Sequence, residues 1–135
     1  MTNQDKKEFL KRYLVADRRL TVLIDELEIW RSRVTKITPF LSGLPGGGAE
    51  DPLQLAVERI AALERRISKE IVWLMLTRAE IREAIEMVQD KKLRLLLEYR
   101  YIHGKTWEEI AERMNYSWRQ IMRLHKFALS AINMS

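Results

Sequence analysis

The sequence has 135 residues, of which 47% are hydrophobic and 32% charged, with a formal net charge of +5; this is the composition of a folded chain with well-solvated surfaces. The absence of cysteine excludes a disulfide scaffold and any thiolate metal site, and fits a reducing compartment. No apolar run approaches the roughly 18 residues of a membrane span, and Asp5, Lys6, Lys7 and Glu8 interrupt the N-terminus where a signal peptide would be apolar, so a cytoplasmic protein with no membrane contact is expected.

The first predicted element is a long helix near 4–37. Phe9, Tyr13, Ala16, Leu20, Leu23, Leu27, Trp30, Val34 and Ile37 recur at alternating spacings of four and three. No strand can present that seam on one face. All three prolines (Pro39, Pro45, Pro52) and four of the five glycines (Gly43, Gly46, Gly47, Gly48) then fall together. The cluster reads as one loop, about 38–51.

A second long helix is predicted near 52–89, with Asp51 as N-cap and Pro52 in its first turn. Leu53, Ile60, Ile67, Leu74, Ile81 and Val88 recur at seven-residue intervals. Their companions are Val57, Glu64, Ile71, Arg78 and Ile85, so this seam has two charged interruptions. Glu64 and Arg78 are equidistant from Ile71; they would meet across an antiparallel homodimer, find partners on the first helix, or snorkel to water. Similar helix lengths and a single loop between them favour an antiparallel coiled-coil hairpin over residues 1–90, serving as scaffold or dimerisation arm. A bare hairpin exposes its flanks, so a homodimer or higher homo-oligomer is expected.

Residues 91–135 are of another kind. Leu93, Leu96, Leu97, Tyr99, Tyr101 and Ile102 make an apolar-rich helix that Gly104 ends. Thr106 and Glu109 form a capping box, and the helix they open runs through Ile110, Ala111 and Met114. Asn115 and Tyr116 turn the chain, asparagine being tolerant of positive φ. Ser117 and Gln120 form a second capping box, opening the last helix. Small Ala111 at the crossing, with apolar Ile110, Met114, Tyr116, Ile121 and Leu124, follows the DNA-binding helix-turn-helix pattern.

Charge agrees with that pattern. Residues 91–135 hold nine Lys/Arg against four Asp/Glu, whereas residues 1–90 sum to zero, and no carboxylate side chain follows Arg113. A one-sided basic segment behind a neutral remainder is the footprint of a polyanion binder. With Ile121, Leu124 and Ala128 facing the core, the opposite stripe offers Arg119, Gln120, Arg123 and Lys126. Arginine grips guanine O6/N7 and glutamine grips adenine N6/N7 with paired bonds, so base contact is expected of Arg119, Gln120 and Arg123. Lys126, His125 and Lys105 are expected at phosphate, with the capped helix end at Ser117. Trp118 adjoins this face, although tryptophans such as Trp107 and Trp118 more often anchor a core than read bases.

The run "LLLEYRYIHGKTWEEIAERMNYSWRQIMRLHKFAL", ending at Leu129, resembles region 4 of sigma-70-type factors, which reads an upstream promoter element. It covers about a quarter of the chain. The whole layout, including "LPGGG" and "RLLLEYRYIHGKTWEEIA", is similar to a family of phage and prophage late-gene regulators of Gram-positive bacteria, the ArpU/RinA type. Asn115 stands where the family's turn carries glycine, and nothing matches sigma region 2, which melts promoter DNA. The resemblance therefore implies an activator or accessory factor that binds double-stranded DNA, with RNA polymerase as a further candidate partner.

The expected fold is all-α: a long antiparallel two-helix coiled-coil hairpin, then a sigma region 4-like helix-turn-helix domain. The expected function is sequence-specific DNA binding in transcription regulation. Two alternatives stand beside it. One is a small terminase-like packaging component, which would form a ring of many chains. The other is a polymerase-binding adaptor, which would show no salt-sensitive DNA binding. No nucleophile–base pair, phosphate loop or cluster of metal ligands stands out, so no enzyme, metal or cofactor is expected.

Overall fold

The structure, a computed structural model, describes residues 1–41 and 50–133. Those residues form five helices and no strand. Helix α1 spans Asn3–Leu41 and α2 spans Glu50–Glu86. The two helices thus take up both ends of the segment expected to be loop; 42–49 and the side chain of Asp51, with its expected cap, lie outside the described residues. Helix α3 covers Lys91–Leu97 and runs into a π-helical turn at Glu98–Ile102. Helices α4 (Trp107–Met114) and α5 (Trp118–Ala131) complete the order.

The chain divides into two compact units: Arg18–Trp73, and Met1–Asp17 together with Leu74–Ser135. In the first, Leu20, Leu23 and Leu27 of α1 and Ala56, Leu63 and Ile67 of α2 are buried. Arg19 meets Glu70 at 3.8 Å and Arg31 meets Glu64 at 3.0 Å. Partners on α2 recede as α1 advances, which is the antiparallel sense. Trp30 lies under two guanidiniums, those of Arg33 and Arg59, at 5.3 and 5.7 Å.

The face that α2 buries differs from the one its spacing suggests. The seven-residue series is kept, but the companions turned inward are Ala56, Leu63 and Thr77, not Val57, Glu64 and Ile71. Val57 and Ile71 remain 48% and 39% exposed. The choice follows from charge. Burying the expected companions would have desolvated both Glu64 and Arg78, and an unpaired buried charge costs far more than a half-exposed valine. Glu64 instead pairs with Arg31 on α1, and the Arg78 guanidinium sits 5.8 Å from the Tyr13 ring.

The second unit has one continuous core. Leu10 of α1 and Ile81, Ile85 and Val88 near the end of α2 join Leu96, Leu97, Tyr101, Ile102, Ile110, Ile121, Ala128, Leu129 and Ile132. Helix α2 ends at Glu86, short of the expected 89, because the next helix starts almost at once. Asp90 is its N-cap, accepting from the amides of Lys92 and Leu93 at 2.9 and 3.2 Å. The π-turn closes with the His103 amide donating to the Glu98 carbonyl at 3.0 Å. A five-residue step of this kind lets the adjacent side chains Tyr101 and Ile102 both enter the core. Gly104 then takes φ +67°, the left-handed region, where a side chain would be strained.

Candidate nucleic-acid interface

Two capping boxes fix the geometry of α4 and α5. The Thr106 hydroxyl accepts from the Glu109 amide at 3.2 Å, and the Glu109 carboxylate accepts from the Thr106 amide at 3.3 Å. That pairing holds the Glu109 carboxyl below its usual range, chiefly through the Thr106 amide. Helix α4 ends at Asn115, whose φ of 57° supplies the left-handed cap expected of it. The Tyr116 amide donates back to the Ala111 carbonyl at 3.0 Å. At the next residue, the Ser117 hydroxyl accepts from the Gln120 amide at 3.2 Å, while Gln120 Oε1 accepts from the Ser117 amide at 2.8 Å.

So tight a turn forces α5 across α4, and the sequence of α5 suits the crossing. Ile121, His125, Ala128 and Leu129 are buried. At about 100° per residue, Arg119, Arg123, Lys126 and Ser130 fall within about 60° of arc on the opposite side. All four are exposed. No side-chain carboxylate stands on α5, so the stripe is purely basic and polar.

The expected site residues do not all share that stripe. Gln120 is exposed and one position round from it, but its carboxamide oxygen is already engaged by the Ser117 amide. A two-bond grip on adenine needs that oxygen, so such a contact would require the cap to open. Trp118 is 56% exposed at the first position of α5, so it is no core anchor. Ser117 is exposed and acts as cap. Lys105 is half-buried, its Nζ 3.8 Å from Glu109.

His125 departs most from expectation. It is only 7% exposed, turned into the core rather than towards a phosphate. Its Nε2 lies 2.7 Å from the Tyr101 hydroxyl, and its ring centre 4.5 Å from that of Trp107. Burial first, then the cations Lys7, Arg100 and Lys11, push its pKa down to about 4, so the ring is neutral near pH 7. Burial pushes the Tyr101 phenol up to about 12. The Arg100 guanidinium covers the other aromatic of the group, 4.3 Å from Trp107, and donates to the Lys105 carbonyl at 3.0 Å. These contacts tie the π-turn to the start of α4 and make His125 a positioning group for the helix-turn-helix.

Some neighbours of the stripe carry no signal in the local sequence. Asn3 Nδ2 lies 3.5 Å from Ser130 Oγ, and Lys6 Nζ donates to the Ser130 carbonyl at 3.3 Å. The first turn of α1 therefore closes the C-terminal end of α5. Among the described residues, no group of three or more His, Asp or Glu side chains could hold a metal ion, and no helix is long and apolar enough to cross a membrane.

Residues 90–133 match the family described as Sigma-70, region 4. The match covers about a third of the chain, opens on the Asp90 cap of α3 and closes just beyond α5. The segment is thus a sigma-70 region 4-like helix-turn-helix, a DNA-binding module. No curated protein and no solved structure matches the chain.

Proposed function

We propose that the chain is a sequence-specific double-stranded-DNA-binding transcriptional regulator of phage or prophage origin, working in the cytoplasm. The observation that carries this reading is the stripe of Arg119, Arg123 and Lys126, exposed and free of carboxylates on a second helix opened by a capping box. Arg119 and Arg123 stand in the first half of α5, the part of a recognition helix that meets base edges. They are the proposed base readers, with Lys126, Lys105 and the Ser117 cap on phosphate. Trp118 supplies an exposed apolar surface beside them, suited to a thymine methyl group. Gln120 reads bases only at the expense of its cap, and otherwise holds the helix in place.

The region 4 likeness also suits a surface for RNA polymerase. The hairpin suits self-association, since Val22, Ile29 and Leu55 in the unit Arg18–Trp73 are 63%, 52% and 66% exposed.

Selection of bound duplexes from a random pool, followed by fluorescence anisotropy, tests the reading. Replacing Arg119 or Arg123 by Ala is expected to cost about 1–3 kcal/mol at the selected site and relax preference at one base pair. Unchanged binding after both replacements, with circular dichroism intact, would remove α5 as the reading helix. Absence of any salt-sensitive binding by the parent chain would favour an adaptor that contacts only protein.

A further inference from the structure

Sequence charge places the whole basic excess in residues 91–135, yet the structure brings other cations to α5. Asn3 and Lys6 both reach Ser130, the last member of the exposed stripe. Helix α5 has no basic residue of its own in its last turn, so the Lys6 ammonium supplies the cation that favours the carbonyl end of a helix. Lys7 and Lys11 stand on the next turns of α1, close enough to His125 on the buried side of α5 for their charge to oppose its protonation. Leu10, between them in sequence, is fully buried in the core that includes α5, and Leu14 packs 3.4 Å from where a Cβ on Gly104 would lie. Helix α1 is therefore anchored beside the helix-turn-helix along these turns.

On this ground, and resting on the DNA-binding reading above, we infer that the first turns of α1 form a second phosphate-contacting patch for double-stranded DNA, carried by Lys7 and Lys11. Lys11 is exposed and Lys7 half-exposed; they lie about 40° apart round the helix, one turn from each other. Of the nearby carboxylates one is turned aside and the other is hydrogen-bonded to a neighbouring side chain. Asp5 stands about 160° round from Lys7 and accepts from the Thr2 amide at 3.0 Å. Glu8 is about 60° round from Lys11 and accepts from the Gln4 amide group at 3.3 Å. Arg12, further round, meets Glu80 at 3.4 Å. Two lysines so placed extend the contact area from α5 onto a helix that precedes it by more than a hundred residues. They add affinity and orientation without reading sequence.

The test is a salt series, measuring anisotropy of a labelled mixed-sequence duplex and of a selected one with the full chain. Each phosphate contact contributes about 0.9 to the slope of log K against log salt, so Lys7→Gln/Lys11→Gln should lower the slope by nearly two on both duplexes. Base preference should not change. Lys7→Arg/Lys11→Arg, with the same charge, should restore the parent slope, which a merely structural role would not require. An unchanged slope in the Gln variant, while Arg119→Ala/Arg123→Ala still weakens binding, overturns this inference and leaves the recognition helix standing. Failure of the parent chain to bind either duplex overturns both.

Discussion

Acidification should loosen the unit that carries the helix-turn-helix, and the size of the effect follows from His125. The folded state holds the imidazole neutral with a pKa of about 4, whereas its ordinary value is 6.5. Between those values the unfolded chain binds the extra proton, so stability is complete above about pH 6.5 and falls as pH is lowered. The loss is about 1.4 kcal/mol per pH unit, reaching about 3 kcal/mol near pH 4, below which both states are protonated and this contribution levels off. Urea unfolding of the full chain at several pH values between 7 and 4, followed by tryptophan fluorescence, would measure it. Trp107 is a direct reporter because its ring lies against His125. A His125→Gln variant keeps a group able to bond the Tyr101 hydroxyl but removes the titration. The slope of stability against pH should flatten in that variant across the same window. Asp5 and Glu109, whose carboxyls are held low by amide hydrogen bonds, titrate alike in both proteins and cancel. Identical slopes for parent and variant would refute the argument that burial keeps His125 neutral.

Other expectations follow from single residues. Leu23→Ala, at a site only 5% exposed, should cost about 2–5 kcal/mol in urea unfolding, and Ile71→Ala, on the face turned outward, less than about 1 kcal/mol. A reversed order would restore the seam that spacing alone suggests. Gly104→Ala should cost about 1–2 kcal/mol through its φ of +67° rather than through crowding, since Leu14 leaves room for a Cβ; a neutral change in thermal melting would contradict the left-handed cap. Lys126→Ala should weaken binding to every duplex alike and lower the salt slope by about one, where a base reader would alter preference.

Much of the architecture was legible because it rests on local rules. The nine seam positions from Phe9 to Ile37 are all buried or half-buried, as a four-three spacing demands. Both capping boxes and the positive φ of Asn115 follow from residue types at fixed offsets. What spacing left open was decided by interactions between distant segments. A seven-residue apolar series permits either of two companion sets, and only the cost of burying Glu64 and Arg78 selects Ala56, Leu63 and Thr77. The π-turn has no marker in the sequence, because its adjacent buried pair Tyr101–Ile102 fits an ordinary helix end as well. His125 was legible in principle: Ile121, His125, Ala128 and Ile132 keep a four-three-four spacing, which the polarity of histidine masks. Leu10 lies one position beyond the seam residue Phe9, and nothing nearby shows that it completes the core beneath the recognition helix.

That core has a consequence for how the protein comes into being. Leu10 is made more than a hundred residues before Ile132, yet they share one cluster. Contacts between such remote positions carry a large loop-closure cost and form late. During synthesis, α1 and α2 can zip together while the wall built by Leu10, Ile81 and Ile85 waits uncovered for α5. The recognition surface thus matures only once α5 has been made. A nascent or truncated chain lacking the final turns would present an open apolar wall, the kind of surface that chaperones hold and proteases exploit.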